Sequence, residues 1–302
     1  MSTGTTTDRA VETETVVSTA VGDLGAIVRV PGVATPLPGV VLVDGSGDGD
    51  RHDWGGWPQW LGDAGSVVLR HDKPGCGGAP RPSAGQTRGG RAQGNPSPGR
   101  GPGARGGWLA LLAAAMDPGS VDFVICHSGP GTTPAQQERE RQESWLRAGG
   151  HDEQAVAEAL AWVDTRADLL RRGVAPAEVL ARQAQFADRA WADVVLPVYD
   201  SPENLRFVSG LLDFDPTAVM PQVSCPVLAL FGAADSVIPV PVSVAAFATH
   251  LPPHPGHGVA VFPGADHGLF VADPDPQVPR RDQLAPAYLP TLMAFLADRR
   301  VA

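Results

Sequence analysis

Five short apolar runs, each closed by a turn that carries glycine, govern what this chain can fold into. They are "GVVLVDGSG" (39–47), "SVVLRHDKPGCG" (66–77), "SVDFVICHSGPG" (120–131), "CPVLALFGAADSVIP" (225–239) and "GVAVFPGADHG" (258–268). Apolar runs this short, with no regular polar alternation, read as strands buried on both faces. Helical patterns separate them: "WPQWLGDAG" is a short helix stopped by glycine, and "WLALLAAAM" is built of strong helix formers. Strands alternating with helices give an α/β fold, a mostly parallel sheet with helices on both faces. Nearer the start, "ETVVSTAV" and "LGAIVRVPG" read as an antiparallel pair. The chain closes on an amphipathic helix, "LAPAYLPTLMAFLADRR".

Between the third and fourth runs lies a long helical stretch, about 134–192. "PAQQERERQESWLRAGG" and "DEQAVAEALAWVDTRADLLRRG" place apolar residues at helical spacing, charges opposite, and both end in glycine. "APAEVLARQAQFADRAWADV" continues in the same style.

Composition narrows the function. A chain of 302 residues buries a substantial core, and 43% of its residues are hydrophobic. A formal net charge of -10 disfavours nucleic acid and anionic membrane surfaces as partners. No run reaches the roughly 18 apolar residues of a membrane span. The polar start "MSTGTTTDRAVETET" has no apolar core of a signal peptide. Three widely spaced cysteines, Cys76, Cys126 and Cys225, suit a reducing cytoplasm better than a disulfide frame or a zinc site. Nothing in the sequence signals an oligomeric state.

In a parallel sheet, functional groups gather in the turns beyond the carboxyl ends of the strands. Asp235, in "FGAAD", stands a few residues past one strand, and His267, in "GADH", just past the next. An Asp that orients a His, in that chain order, is the acid–base half of a Ser-His-Asp arrangement: the His takes a proton from a nucleophile and the carboxylate fixes its tautomer. The plainer readings are a turn-forming Asp and a surface-loop His. In "VDGSGDGD", the turn at Gly45 and Ser46 offers backbone N–H groups to an oxyanion, or is simply a glycine turn. Asp44 beside it would repel an oxyanion unless it points away. His250, His254 and His257, in "HLPPHPGHG", are a weak metal-ligand candidate; their Pro-rich setting reads better as a solvated loop.

These segments in this order resemble the α/β-hydrolases, in particular dienelactone-hydrolase-like and acyl-thioesterase-like esterases with a helical cap. "PGVVLVDGSGDGDRHDW" is similar to their third strand and oxyanion turn, and "VVLRHDKPGCGG" to the strand and turn after it. "GGWLALLAAAMDPGSVDFVICHSGPGTTPAQQE" is similar to the helix after the nucleophile, the next strand and the cap entrance. "LLDFDPTAVMPQVSCPVLALFGAADSVIP" and "VFPGADHGLF" match the acid and histidine segments. The resemblance covers about 13–79 and 106–299. It implies an α/β-hydrolase core at 1–131 and 223–302 with a helical cap at 132–222. It further implies hydrolysis of a small-molecule carboxylic ester or thioester through a serine acyl-enzyme, with His267 as base then acid, Asp235 its orienting partner, and no cofactor. The rival is a non-catalytic hydrolase-like protein holding a small acyl ligand.

One segment departs from the family's pattern. Residues 80–107, "PRPSAGQTRGGRAQGNPSPGRGPGARGG", hold five arginines, no acidic residue and no large apolar side chain. The family sets G-x-S-x-G-G directly before the helix that here begins "GGWLALLAAA". Counting back from Gly106 and Gly107, the nucleophile slot falls on Ala104 and the first glycine slot on Pro102. Nothing in 80–103 suits a central strand, since Pro96, Pro98 and Pro102 cannot donate to a ladder. The segment is expected to lack regular structure and leave a sheet prone to poor stability. Three accounts stand. A shifted reading frame in a GC-rich gene would produce such text and resume at "GGWLALL". A natural pseudo-enzyme would carry it as a loop. Alternatively Ser128, in "CHSGPG", is the nucleophile, although Pro130 fills a position where an elbow needs a small residue. An arginine–glycine nucleic-acid tail is disfavoured, because the segment has no aromatics to stack on bases.

Overall fold

The structure is a computed structural model that describes residues 10–20, 22–33, 36–45, 49–79, 104–271 and 275–299. Its strands are β1 (Val11–Thr19), β2 (Gly22–Val30), β3 (Gly39–Leu42), β4 (Val67–His71), β5 (Val124–His127), β6 (Val227–Gly232) and β7 (Gly258–Phe262). Its α-helices are α1 (Trp57–Asp63), α2 (Ala104–Met116), α3 (Pro134–Ala148), α4 (Glu153–Arg171), α5 (Pro176–Gln183), α6 (Ala192–Val195), α7 (Pro202–Ser209), α8 (Pro216–Val219), α9 (Val240–His250) and α10 (Tyr288–Ala297). Each of the five apolar runs holds one strand, and the alternation with helices is the α/β arrangement that the pattern predicts. The anomalous residues 80–103 lie outside the described residues.

The chain divides into two compact units. The first comprises 1–44, 48–86 and 269–302; the second comprises 45–47 and 87–268. This division differs from the core and cap boundaries read from the sequence. The helices after β5 group with β5, β6 and β7 in the second unit.

In the first unit four strands run in the order β1-β2-β4-β3. β1 and β2 are antiparallel, with Val11 opposite Val30, and β3 and β4 are parallel. β1, "VETETVVST", is exposed along almost its whole length, as its charged and hydroxyl residues require at a sheet edge. The unit's aromatic core sets Trp57 edge-on to Trp60 at 5.0 Å and to Tyr288 at 5.7 Å. Asp72 has its carboxylate buried, where it accepts from the Arg51 backbone N–H at 2.9 Å and Nη1 at 2.6 Å.

In the second unit β5, β6 and β7 form a parallel sheet in that order. β6 is buried at every residue, as expected of a central strand with no polar alternation. Leu111 of α2 and Phe247 of α9 share its core with Val227, Ala229 and Phe231. The helices from Pro134 to Val219 carry a core of their own, including Leu146, Trp162, Leu169, Trp191 and Leu205. Thr133 and Asp152 cap α3 and α4 by accepting from the N–H groups of Gln136 and Ala155. The helix expected to run through "APAEVLARQAQFADRAWADV" breaks after Gln183. There Phe186 turns inward to pack on Trp162 at 4.8 Å and Trp191 at 5.4 Å, and aromatic burial overrides local helix propensity.

Candidate active site

Asp235 and His267 stand beyond the carboxyl ends of β6 and β7, which pair in parallel with Gly232 opposite Phe262. Parallel neighbours bring their C-terminal turns side by side. His267 Nδ1 lies 2.7 Å from Asp235 Oδ2. A carboxylate accepts only, so Nδ1 carries the proton and Nε2 is the basic nitrogen.

The Asp235 side chain is 0% exposed. Its other oxygen, Oδ1, accepts from the backbone N–H groups of Val237 at 2.7 Å and Ile238 at 3.2 Å. Both carboxylate oxygens are thus engaged and the rotamer is fixed. Gln137 of α3 donates to the Val237 carbonyl at 3.4 Å and ties the same loop to the helices. Gly232 lets the two turns approach: a Cβ there would collide with the carbonyl oxygens of Ala265 and Asp266.

A third strand end joins this pair, one to which the sequence reading gave no role. His127, the last residue of β5, is buried near His267 and the backbone of Gly268, the residue after it. The nearby Gly268 backbone favours the charged ring. Burial, followed by the nearness of His267, nevertheless pushes the His127 pKa down to about 3. The signal in the sequence was a histidine ending an apolar strand, in "FVICHSGPG".

The buried histidine makes stability depend on acid. Its folded pKa of about 3 lies below the ordinary 6.5, so the unfolded chain binds the proton first. Stability is complete above about pH 6.5 and falls as pH drops toward 3. Between pH 6.5 and 4.5 the loss should reach about 2–3 kcal/mol, at about 1.4 kcal/mol per pKa unit. Thermal melts at those two pH values check this. His127→Asn should show a distinctly smaller drop than the wild type, and parallel curves would show that His127 is not the acid-sensitive group.

Ser128 follows directly, with φ 49° in the left-handed region, 0% exposure and its N–H bonded to the Leu230 carbonyl at 2.8 Å. Its Oγ has no hydrogen-bond partner among the described residues. The turn from His127 to Thr132 is buried throughout. Trp108 Nε1 donates to the Pro130 carbonyl at 2.7 Å, and the Gly131 N–H donates to Ser243 Oγ at 3.0 Å. α3 starts only at Pro134, so Ser128 lies on a clamped loop rather than on a direct strand-to-helix turn.

Ala104, the expected nucleophile slot, is the first residue of α2. Gly45 groups with the second unit, and Ser46 lies outside the described residues. Asp44, the carboxylate flanking that turn, is ion-paired to Lys73 Nζ at 2.8 Å. The three histidines of "HLPPHPGHG" do not form a ligand set. His257 Nδ1 accepts from the Val227 N–H at 3.0 Å, and its Nε2 lies 2.9 Å from the Pro252 carbonyl, which occupies both ring nitrogens. Among the described residues no group of three or more His, Cys, Asp or Glu side chains is arranged to hold a metal. Cys76, Cys126 and Cys225 form no disulfide among the described residues, and burial pushes Cys126 up to about 12. No described helix is long and apolar enough to cross a membrane.

Solved structures share this architecture over almost the whole chain. VinJ matches with a TM-score of 0.54 and 16% identity, over 95% of this chain and 98% of its own. A proline iminopeptidase from Mycobacterium smegmatis matches with a TM-score of 0.51 and 18% identity, over 95% and 98%. An enol-lactonase from Burkholderia xenovorans LB400 matches with a TM-score of 0.51 and 16% identity, over 94% and 100%. At such identities the likeness is one of fold. No family model matches the chain, and no curated protein matches it in sequence.

Proposed function

The chain has the α/β-hydrolase fold, and from that premise we propose that it is a hydrolase of a small carboxylic ester or thioester, impaired at its nucleophile. The observation that carries the reading is the 2.7 Å bond between His267 Nδ1 and the buried carboxylate of Asp235. His267 Nε2 is the base. Asp235 holds the tautomer and stabilises the imidazolium formed when Nε2 takes a proton. The group that gives up that proton in the family is a serine hydroxyl, and the slot for it is Ala104, which has none. Water then takes the serine's place: Nε2 removes its proton, the hydroxide attacks the acyl carbon, and the imidazolium returns the proton to the leaving alcohol or thiol.

Ser128 gives a second reading, because its left-handed φ of 49° is the strained backbone of an elbow serine and its hydroxyl has no partner among the described residues; its burial and its place on a loop count against it. Incubation with a fluorophosphonate, read by intact mass, separates the two. The proposal expects slow turnover of short p-nitrophenyl esters and thioesters with no covalent adduct. An adduct that Ser128→Ala abolishes would assign the nucleophile to Ser128. A chain that binds a short acyl ligand yet turns over neither substrate above the buffer rate would be a non-catalytic hydrolase-like protein.

A further inference from the structure

We propose that Gln137 is a positioning residue for Asp235, acting through the peptide that joins Val237 to Ile238. This rests on the acid–base role given above to the Asp235–His267 pair. One peptide unit carries two contacts. Its oxygen, the Val237 carbonyl, accepts from Gln137 Nε2 at 3.4 Å, and its N–H, that of Ile238, donates to Asp235 Oδ1 at 3.2 Å. A peptide is planar, so a group that holds its oxygen also aims its N–H. Donation to the carbonyl polarises the same peptide and strengthens its N–H as a donor. The contacts run in one line: Gln137 to the Val237 carbonyl, the Ile238 N–H to Asp235 Oδ1, and Asp235 Oδ2 to His267 Nδ1 at 2.7 Å.

The post that offers the first contact is fixed. The Gln137 N–H bonds the Thr133 carbonyl at 2.9 Å, and the Thr133 hydroxyl caps α3. The Ala135 N–H donates to the Leu212 carbonyl at 3.3 Å. On the other side of Gln137, Glu138 accepts from Arg141 Nε at 3.1 Å and from Gln142 Nε2 at 2.7 Å. The start of α3 is tied down around Gln137, and its side chain carries that fixity to the turn that holds Asp235. Ile238 is in turn part of the core with Val227 and Phe231. Packing anchors the peptide through that side chain, and Gln137 supplies the polar anchor at its oxygen.

Three substitutions separate positioning from helix packing. Gln137 is half-buried, so side chains of its length can be exchanged there. Gln137→Met keeps the length and removes the donor. Gln137→Lys restores a donor. Gln136→Met, one residue earlier, removes an amide that donates to Glu140 at 3.1 Å and is the control. The activity-independent readout is the low-field proton resonance of His267 Nδ1–H, bonded to Asp235. The kinetic readout is kcat against KM for residual ester hydrolysis. Gln137→Met should broaden the resonance, because a carboxylate with a weakened anchor lets Nδ1–H exchange faster with water. It should also lower kcat about three- to ten-fold, the worth of one hydrogen bond, with KM little changed. Gln137→Lys should recover most of both, and Gln136→Met should match the wild type.

A folded Gln137→Met with the wild-type resonance and the wild-type kcat overturns the proposal. So does a Gln137→Lys protein that recovers neither, or a Gln136→Met protein as impaired as Gln137→Met, since the effect then belongs to the helix. Loss of the fold in Gln137→Met assigns the residue a structural role and overturns the proposal too. Absence of the low-field resonance from the wild-type chain overturns it as well. A wild type with the resonance but no hydrolysis refutes the hydrolase reading alone, and the resonance in the variants still decides the role of Gln137.

Discussion

A short p-nitrophenyl ester will be hydrolysed by this chain about a million-fold more slowly than by a serine hydrolase with its nucleophile in place, and still about 10³–10⁴ above water, the residue left when a serine protease loses its nucleophile. The two numbers have separate origins. The deficit comes from Ala104: a methyl group stands where the family's spacing places the hydroxyl, so no acyl-enzyme divides the reaction into two easier steps. In the protease the remainder comes from the oxyanion hole and substrate binding; this chain retains in addition a base at His267 Nε2, held in register by the buried Asp235, that can activate water. Steady-state turnover against buffer hydrolysis measures both. A kcat near 10 s⁻¹, the middle of the range for ordinary enzymes, would refute the deficit.

The same account fixes what repair should do. If the coding DNA across codons 75–110, read in another frame, encodes a glycine-flanked serine two residues before Gly106, a chain carrying that text should regain the missing factor and label with a fluorophosphonate. If no frame places a serine there, the shifted-frame account fails and the segment belongs to a natural pseudo-enzyme.

How far the sequence could be read depends on the range of the interactions concerned. The seven strands were legible because each is a short apolar or β-branched run, and burial on both faces leaves β6 with no polar alternation to confuse the period. The pairing of Asp235 with His267 was legible because a parallel sheet brings the turns after neighbouring strands side by side, and both turns carry glycine. Other features depend on contacts between distant segments. His127 comes near His267 through strand ends that local pattern does not connect. The break after Gln183 follows from Phe186 packing on Trp162 and Trp191, whereas its local composition favours helix. Asp44 looked hostile to an oxyanion in the sequence; its pairing with Lys73, from the end of another strand, had no local signal. His257 looked like one of three metal ligands, and only the fold shows both its nitrogens engaged with backbone.

Replacing the base tests the central claim most directly. General acid–base catalysis by a positioned side chain contributes about 10²–10⁴-fold, and the proposed attack by water runs through His267 alone. Turnover of a short p-nitrophenyl ester should therefore fall in His267→Ala to within about ten-fold of the buffer rate. Asp235→Asn should also lose most of the activity, because an amide that donates toward Nδ1 reverses the tautomer and places the proton on Nε2. Circular dichroism spectra matching the wild type would show that both variants are folded. A folded His267→Ala that hydrolyses the ester at the wild-type rate would contradict the account, since the activity would then arise away from the Asp235–His267 pair.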